Sequence, residues 1–217
     1  MKNVALILAG CGVYDGSEIY ESVLTMLSLE NHEASYQCFA PDLEQMHVVN
    51  HLSGEVAEGE RRNVLVESAR LARGRIKNLS EASAADFDAV IVPGGFGVAK
   101  NLSDFAVKGA EMCVQPEVLN FIQAVHKANK PVGLICIAPT MAAKIFGPGV
   151  KCTIGSDVDT SAAITAMGGN HQVCAVDEVC IDEDLKLVTT PAYMLAGSIA
   201  EAARGINRCV REVLNMA

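Results

Sequence analysis

Three short, almost wholly apolar runs in this chain each lead straight into a glycine- or cysteine-bearing turn, and that repetition restricts the folds open to it. Val4-Ala5-Leu6-Ile7-Leu8-Ala9 runs into Gly10-Cys11-Gly12-Val13-Tyr14-Asp15-Gly16, Phe87 to Val92 into Pro93-Gly94-Gly95-Phe96-Gly97, and Val132 to Ile135 into Cys136. Unbroken apolar runs of this length read as strands covered on both faces, the habit of parallel sheets. Helical patterns lie between them. The first spans about Glu18 to Glu30, capped by Ser17 or Asp15, with Val23, Leu24, Met26 and Leu27 as its buried stripe. Others span about Gln115 to Asn129, Ser161 to Met167 and Met194 to Leu214, while Ser35 to Ala40 reads as the second strand. Lys151 to Ile154 reads as a short strand, and Val173 to Ile181 with Leu185 to Thr190 as a strand pair around Asp182-Glu183-Asp184. Strands alternating with helices predict an α/β fold, a mostly parallel sheet with helices on both faces. In such a sheet the three turns fall on one edge, where sites form.

Two segments stand outside this alternation. Gln45 to Gly59 lacks periodicity and reads as an irregular excursion, and Glu60 to Asn78 reads as an inserted amphipathic helix that covers the site or joins subunits. At 217 residues the chain is long enough for one well-cored domain, residues 1–217, and short for two. The net charge of -9, with no basic cluster, argues against a nucleic-acid partner. No segment approaches the roughly 20 apolar residues of a membrane helix, so no membrane partner is expected. Leu8-Ala9-Gly10-Cys11 resembles a lipoprotein cleavage box, but the apolar run before it is too short for a signal core. Eight cysteines with no C-x-x-C pair indicate neither a zinc ribbon nor a thioredoxin motif, and the expected setting is reduced and cytoplasmic. The five histidines show no ligand spacing, so neither a metal nor another cofactor is expected.

The chemistry concentrates at the turns. Cys136 sits between a strand and the helix start at Ala138 to Lys144, where free N–H groups and the helix dipole favour a thiolate. The residues alone allow two readings, a nucleophile or one more small buried hydrophobe. Gly10, Gly12 and Gly16, with Asp42 after the second strand, invite a dinucleotide reading. Their spacing is one residue too long, and Asp15 and Glu18 stand where pyrophosphate would approach. Gly94-Gly95 lacks the Lys-Ser/Thr of a Walker loop; its N–H groups suit half of an oxyanion hole or an ordinary turn. Glu18 and Glu21 project to one side of the first helix. Glu21 reads as a solvated helix-start residue, whereas Glu18, nearer the sheet edge, is placed to shuttle a proton to Cys136.

Together, Leu8 to Ile19, Phe39-Ala40-Pro41-Asp42, Pro93 to Gly97, Ala99-Lys100-Asn101-Leu102, Gly133 to Pro139 and Thr189 to Tyr193 resemble the ElbB family. These are the isoprenoid-biosynthesis glyoxalase, or enhancing lycopene biosynthesis, proteins of the DJ-1/PfpI, class I glutamine amidotransferase-like superfamily. The resemblance runs from the first strand to the last helix. It implies a flavodoxin-like three-layer sandwich, a nucleophile elbow at Cys136, a partner carboxylate at Glu18, an oxyanion hole from Gly95 and Ile137, and a homodimer. The activity it implies is a glyoxalase converting glyoxal to glycolate without glutathione or metal, through a cysteine hemithioacetal, or a protein deglycase whose action is seen as that conversion. One departure stands out. Superfamily members often carry a histidine some twenty residues after the nucleophile, but here Thr153-Ile154-Gly155-Ser156-Asp157 occupies that place. Amidotransferase and protease chemistry, which need a base to activate the cysteine, are thereby disfavoured, while an aldehyde is electrophilic enough to manage without. The alternative is a non-catalytic cysteine redox sensor or interaction protein. No Asp-rich cluster supports a prenyl-diphosphate site.

Overall fold

A computed structural model describes residues Met1–Ala217. The apolar runs become the strands β1 (Asn3–Ile7), β4 (Ala89–Val92) and β5 (Val132–Ile135). β2 (Ser35–Ala40), β3 (Ile76–Asn78), β6 (Cys180–Asp182) and β7 (Leu187–Thr190) extend them to a seven-stranded sheet of order β6-β7-β5-β4-β1-β2-β3. Only β6 runs antiparallel to its neighbour. β1 lies beside β4 and β4 beside β5, all parallel, so the three turns share one sheet edge. β4, β5 and β7 are fully covered, as their unbroken apolar sequences require. With helices on both faces this is the flavodoxin-like α/β sandwich, built on one cluster of 49 buried hydrophobic residues. No helix is long and apolar enough to cross a membrane.

The helix α1 (Ile19–Asn31) buries a different face from the one its apolar residues suggest. Glu21, Ser22, Thr25 and Ser28 are inside, while Val23 and Leu27 are 48% and 49% exposed. The reason lies in its neighbours, since α1 packs on the C-terminal helix α7 (Ile199–Met216). Small hydroxyl residues allow that approach and satisfy themselves: Ser22 and Thr25 donate to Glu18 O and Glu21 O, each at 2.7 Å, and Ser28 donates to Asn207 Oδ1 at 2.9 Å.

The expected helix from Glu60 to Asn78 is in fact α2 (Val64–Leu71) followed by the edge strand β3. Arg73 and Gly74, at φ +52° and +78°, stop the helix, and Ile76 to Asn78 pair with β2. α2 packs on β2 and β3 as the crossover between them, and its Ser68 Oγ accepts the Gly10 N–H of the first turn at 2.8 Å. The Gln45 to Gly59 excursion instead folds into a ribbon, Val49–Asn50 against Glu55–Val56. At the other edge, Val173 to Val179 is irregular and only Cys180–Asp182 pairs with β7.

Candidate active site

Cys136 follows β5 with a backbone φ of +63°, in the left-handed region that side chains disfavour. Its N–H is held by Thr190 O at 2.9 Å, and a short 3-10 turn, Ala138–Met141, begins at once, leading into the helix Ala142–Phe146. A positive φ between a strand and a helical turn turns the side chain out of the strand direction, which is the geometry of a nucleophile elbow. The thiol nevertheless stays buried, with Cys136 7% exposed.

The other two turns close around it. Glu18 N donates to Gly94 O at 2.9 Å, Gly97 N to Gly16 O at 2.8 Å and Phe96 N to Val13 O at 2.8 Å. Asn101 ties the assembly together: its Nδ2 donates to Ala9 O and Asp15 O, both at 2.9 Å, and its Oδ1 accepts Met46 N at 2.9 Å. Gly94 has no room for a side chain. A Cβ there would stand 2.3 Å from Cys136 Cβ, 2.6 Å from Glu21 Oε2 and 2.9 Å from Cys136 Sγ. The N–H groups of Gly95, which holds φ +99°, and of Ile137, the residue after Cys136, favour charge on the sulfur.

The structure puts Glu21, not Glu18, against the thiol. Glu18 is the N-cap of α1, and its Oε2 accepts the Glu21 N–H at 2.7 Å. Burial raises its pKa, opposed by N–H groups of the first turn. Glu21, one turn on, is completely buried rather than solvated. Its Oε2 accepts Gly94 N–H at 2.9 Å and its Oε1 accepts Tyr193 N–H at 3.0 Å, and Oε2 and Cys136 Sγ border the same small gap at Gly94, so each group feels the other's charge. Burial pushes the Glu21 pKa up to about 7. Burial, and then the Glu21 charge, hold the Cys136 thiol well above its usual value, against the pull of the Gly95 and Ile137 N–H groups. The helix start therefore does not make Cys136 a resting thiolate. The two side chains compete for one buried proton, with N–H donors on either side ready for the charge left behind.

Glu21 was hidden in the sequence because the apolar pattern of α1 points the other way. Tyr193 lies in a segment that carries the resemblance, but no pattern showed that its N–H would meet Glu21; Ala192 before it holds φ +43°. No histidine takes the superfamily's usual place. His171 Nε2 accepts Ile154 N–H at 3.2 Å, and His51 is engaged with Tyr14 N–H and Val49 O.

Residues 12–194 match the model of the DJ-1/PfpI family. The chain belongs to the DJ-1/PfpI family. Within it, this DJ-1/PfpI protein is 48% identical over 222 residues to human glutamine amidotransferase-like class 1 domain-containing protein 3, mitochondrial, covering 98% of this chain and 82% of that one. It is 47% identical to the rat ES1 protein homolog, mitochondrial, covering 98% and 83%. Among solved structures it matches the isoprenoid biosynthesis protein with amidotransferase-like domain from Ehrlichia chaffeensis, with TM-score 0.93 and 38% identity over 100% of this chain and 99% of that one. Glyoxalase III from Candida albicans, at TM-score 0.62 and 11% identity over 99% and 97%, shares the fold. The relatives also correct one expectation. Eight cysteines without a disulfide framework give the expectation of a reduced, cytoplasmic protein, but the human and rat relatives are mitochondrial by name, which points away from the cytoplasm.

Proposed function

We propose that this protein is a cofactor-independent glyoxalase that converts glyoxal to glycolate on Cys136, with Glu21 as the group that moves the proton. The observation that carries this reading is the buried Cys136–Glu21 pair, flanked by N–H donors on both the sulfur and the carboxylate. As an aldehyde carbon approaches, the thiol proton passes to Glu21 and sulfur bonds to that carbon, giving a hemithioacetal. The oxygen that gains charge is met by the Gly95 and Ile137 N–H groups. Glu21, whose charged form is well populated near pH 7, passes the thiol proton to that oxygen and is a carboxylate again. It then takes the proton from the sulfur-bearing carbon to give an enediol, exchanges it with solvent, and delivers a proton to the neighbouring carbon. The product is a thioester of glycolate, and water releases it, regenerating the thiol. Glu18 acts one step back: it caps α1 and so fixes where Glu21 stands.

The protein works as a homodimer in this reading. Ile19, Tyr20, Val23 and Leu27 leave a half-exposed apolar stripe along α1, the face a second subunit would cover.

The test is glycolate production by purified protein, free of added thiols and metals, against a Cys136→Ser control. Glycolate from the wild type alone supports the proposal. Equal amounts from both, or none from either, reject it.

A further inference from the structure

Beside the elbow lies a pocket of about 540 Å³ lined by eleven residues, eight of them hydrophobic. Tyr14 comes from the first glycine turn, Val49 and Val56 from the ribbon, and Phe96, Phe105 and Ile137 complete the walls. Ile137 follows Cys136 directly, so the pocket reaches the residue next to the elbow. Cavities of this size hold ligands much larger than glyoxal. Glyoxal would leave most of the apolar wall against water, whereas an apolar body would displace that water favourably.

One charged side chain lines this pocket, Lys100. Its Nζ donates to Tyr14 O at 2.8 Å and stands 5.7 Å from the centre of the Phe96 ring, and no carboxylate lies within ion-pair distance. An ammonium has three donors, so two remain for a ligand. Burial lowers the Lys100 pKa, opposed by the charge of Asp15, and a ligand anion would offset that desolvation by charge attraction. Asp15 also limits the charge that fits. A carboxylate sets one negative charge against the Lys100 ammonium, whereas a dianion such as a phosphate monoester would add a second in the field of Asp15.

We propose that this pocket is the specificity subsite, and that the protein acts on carbonyl compounds bearing an apolar, ring-sized body and a single carboxylate held by Lys100. The proposal rests on the Cys136 reading for its chemistry, whereas the binding it asserts needs no sulfur.

Two measurements separate these claims. In turnover, 4-carboxyphenylglyoxal and phenylglyoxal are compared in the same enzyme, each isomerising and taking up water to give the corresponding mandelate. The ratio of their kcat/KM values, charged over uncharged, is expected at roughly tenfold in the wild type and near one in Lys100→Gln, as befits a partly buried charge contact. A wild-type ratio of one or less, or one that Lys100→Gln leaves unchanged, overturns the proposal. In binding, calorimetry of 4-phenylbutyrate with Cys136→Ser protein is expected to show saturable binding, weakened by Lys100→Gln and by Phe105→Glu. That binding without any turnover upholds the subsite and rejects the glyoxalase reading. No saturable binding rejects the subsite, whatever the turnover.

Discussion

The Glu21 carboxyl is the partner of the Cys136 thiol, although Glu18 stands one turn earlier on the same helix end and is also buried. The difference follows from the backbone. Glu18 precedes the first helical turn, so its side chain bends back onto the Glu21 N–H, whereas Glu21 projects across the sheet edge between Gly94 and Tyr193. Glu21→Gln is expected to lower glyoxal turnover by about 100-fold or more, the usual share of a proton-moving group. Glu18→Gln, which keeps a capping oxygen, is expected to stay within a few-fold. Steady-state kinetics on the two variants decides; the reverse order of losses would hand the proton to Glu18.

Stability should carry the signature of the same carboxyl. With its folded pKa raised to about 7, Glu21 binds its proton more tightly in the native chain than in the unfolded one. Its stabilising contribution is therefore complete below about pH 4.5 and is lost as pH rises through 7, an effect on the order of 3 kcal/mol. Urea unfolding at about pH 5 and about pH 8 is expected to show the wild type losing roughly that much more than Glu21→Gln over the interval.

Gly94→Ala tests the packing of the elbow. The added methyl would sit 2.6 Å from Glu21 Oε2 and 2.3 Å from Cys136 Cβ, which cannot retreat without moving the backbone after β5. A loss of about 2–3 kcal/mol in unfolding free energy is expected, together with loss of turnover. An active variant of wild-type stability would mean that the elbow is looser than described.

The subunit proposal makes its own prediction. Val23 and Leu27 are half-exposed on α1 and make no contribution to the core, so Val23→Glu with Leu27→Glu should fold. Equilibrium sedimentation is expected to give twice the chain mass for the wild type and the single mass for the variant. A wild type that sediments as a monomer removes the dimer.

Much of this architecture can be read from the amino-acid order, because fully buried strands such as Val132–Ile135 must be continuously apolar and because a parallel sheet brings its turns to one edge. The position of Cys136 after such a strand was legible for the same reason. Glu21 was not, since nothing in a one-dimensional pattern reveals that α1 turns its serines, threonine and glutamate inward and leaves Val23 and Leu27 outside. The subsite was equally hidden, because its walls come from Tyr14, a ribbon near Val49, Phe96 and Phe105, far apart in the chain. The edge strand β3 was masked by its neighbours, as Glu60 to Asn78 has a helical period that Arg73 and Gly74 interrupt.

The central claim is that Cys136 holds the aldehyde while Glu21 moves a proton between its two carbons. Proton NMR of glyoxal incubated with the protein in heavy water, beside Cys136→Ser, tests it directly. The account predicts glycolate from the wild type alone, with deuterium at the carbon that receives the proton, because the Glu21 carboxyl exchanges with solvent. Glycolate that keeps only protium at that carbon, or glycolate formed equally by Cys136→Ser, would contradict it.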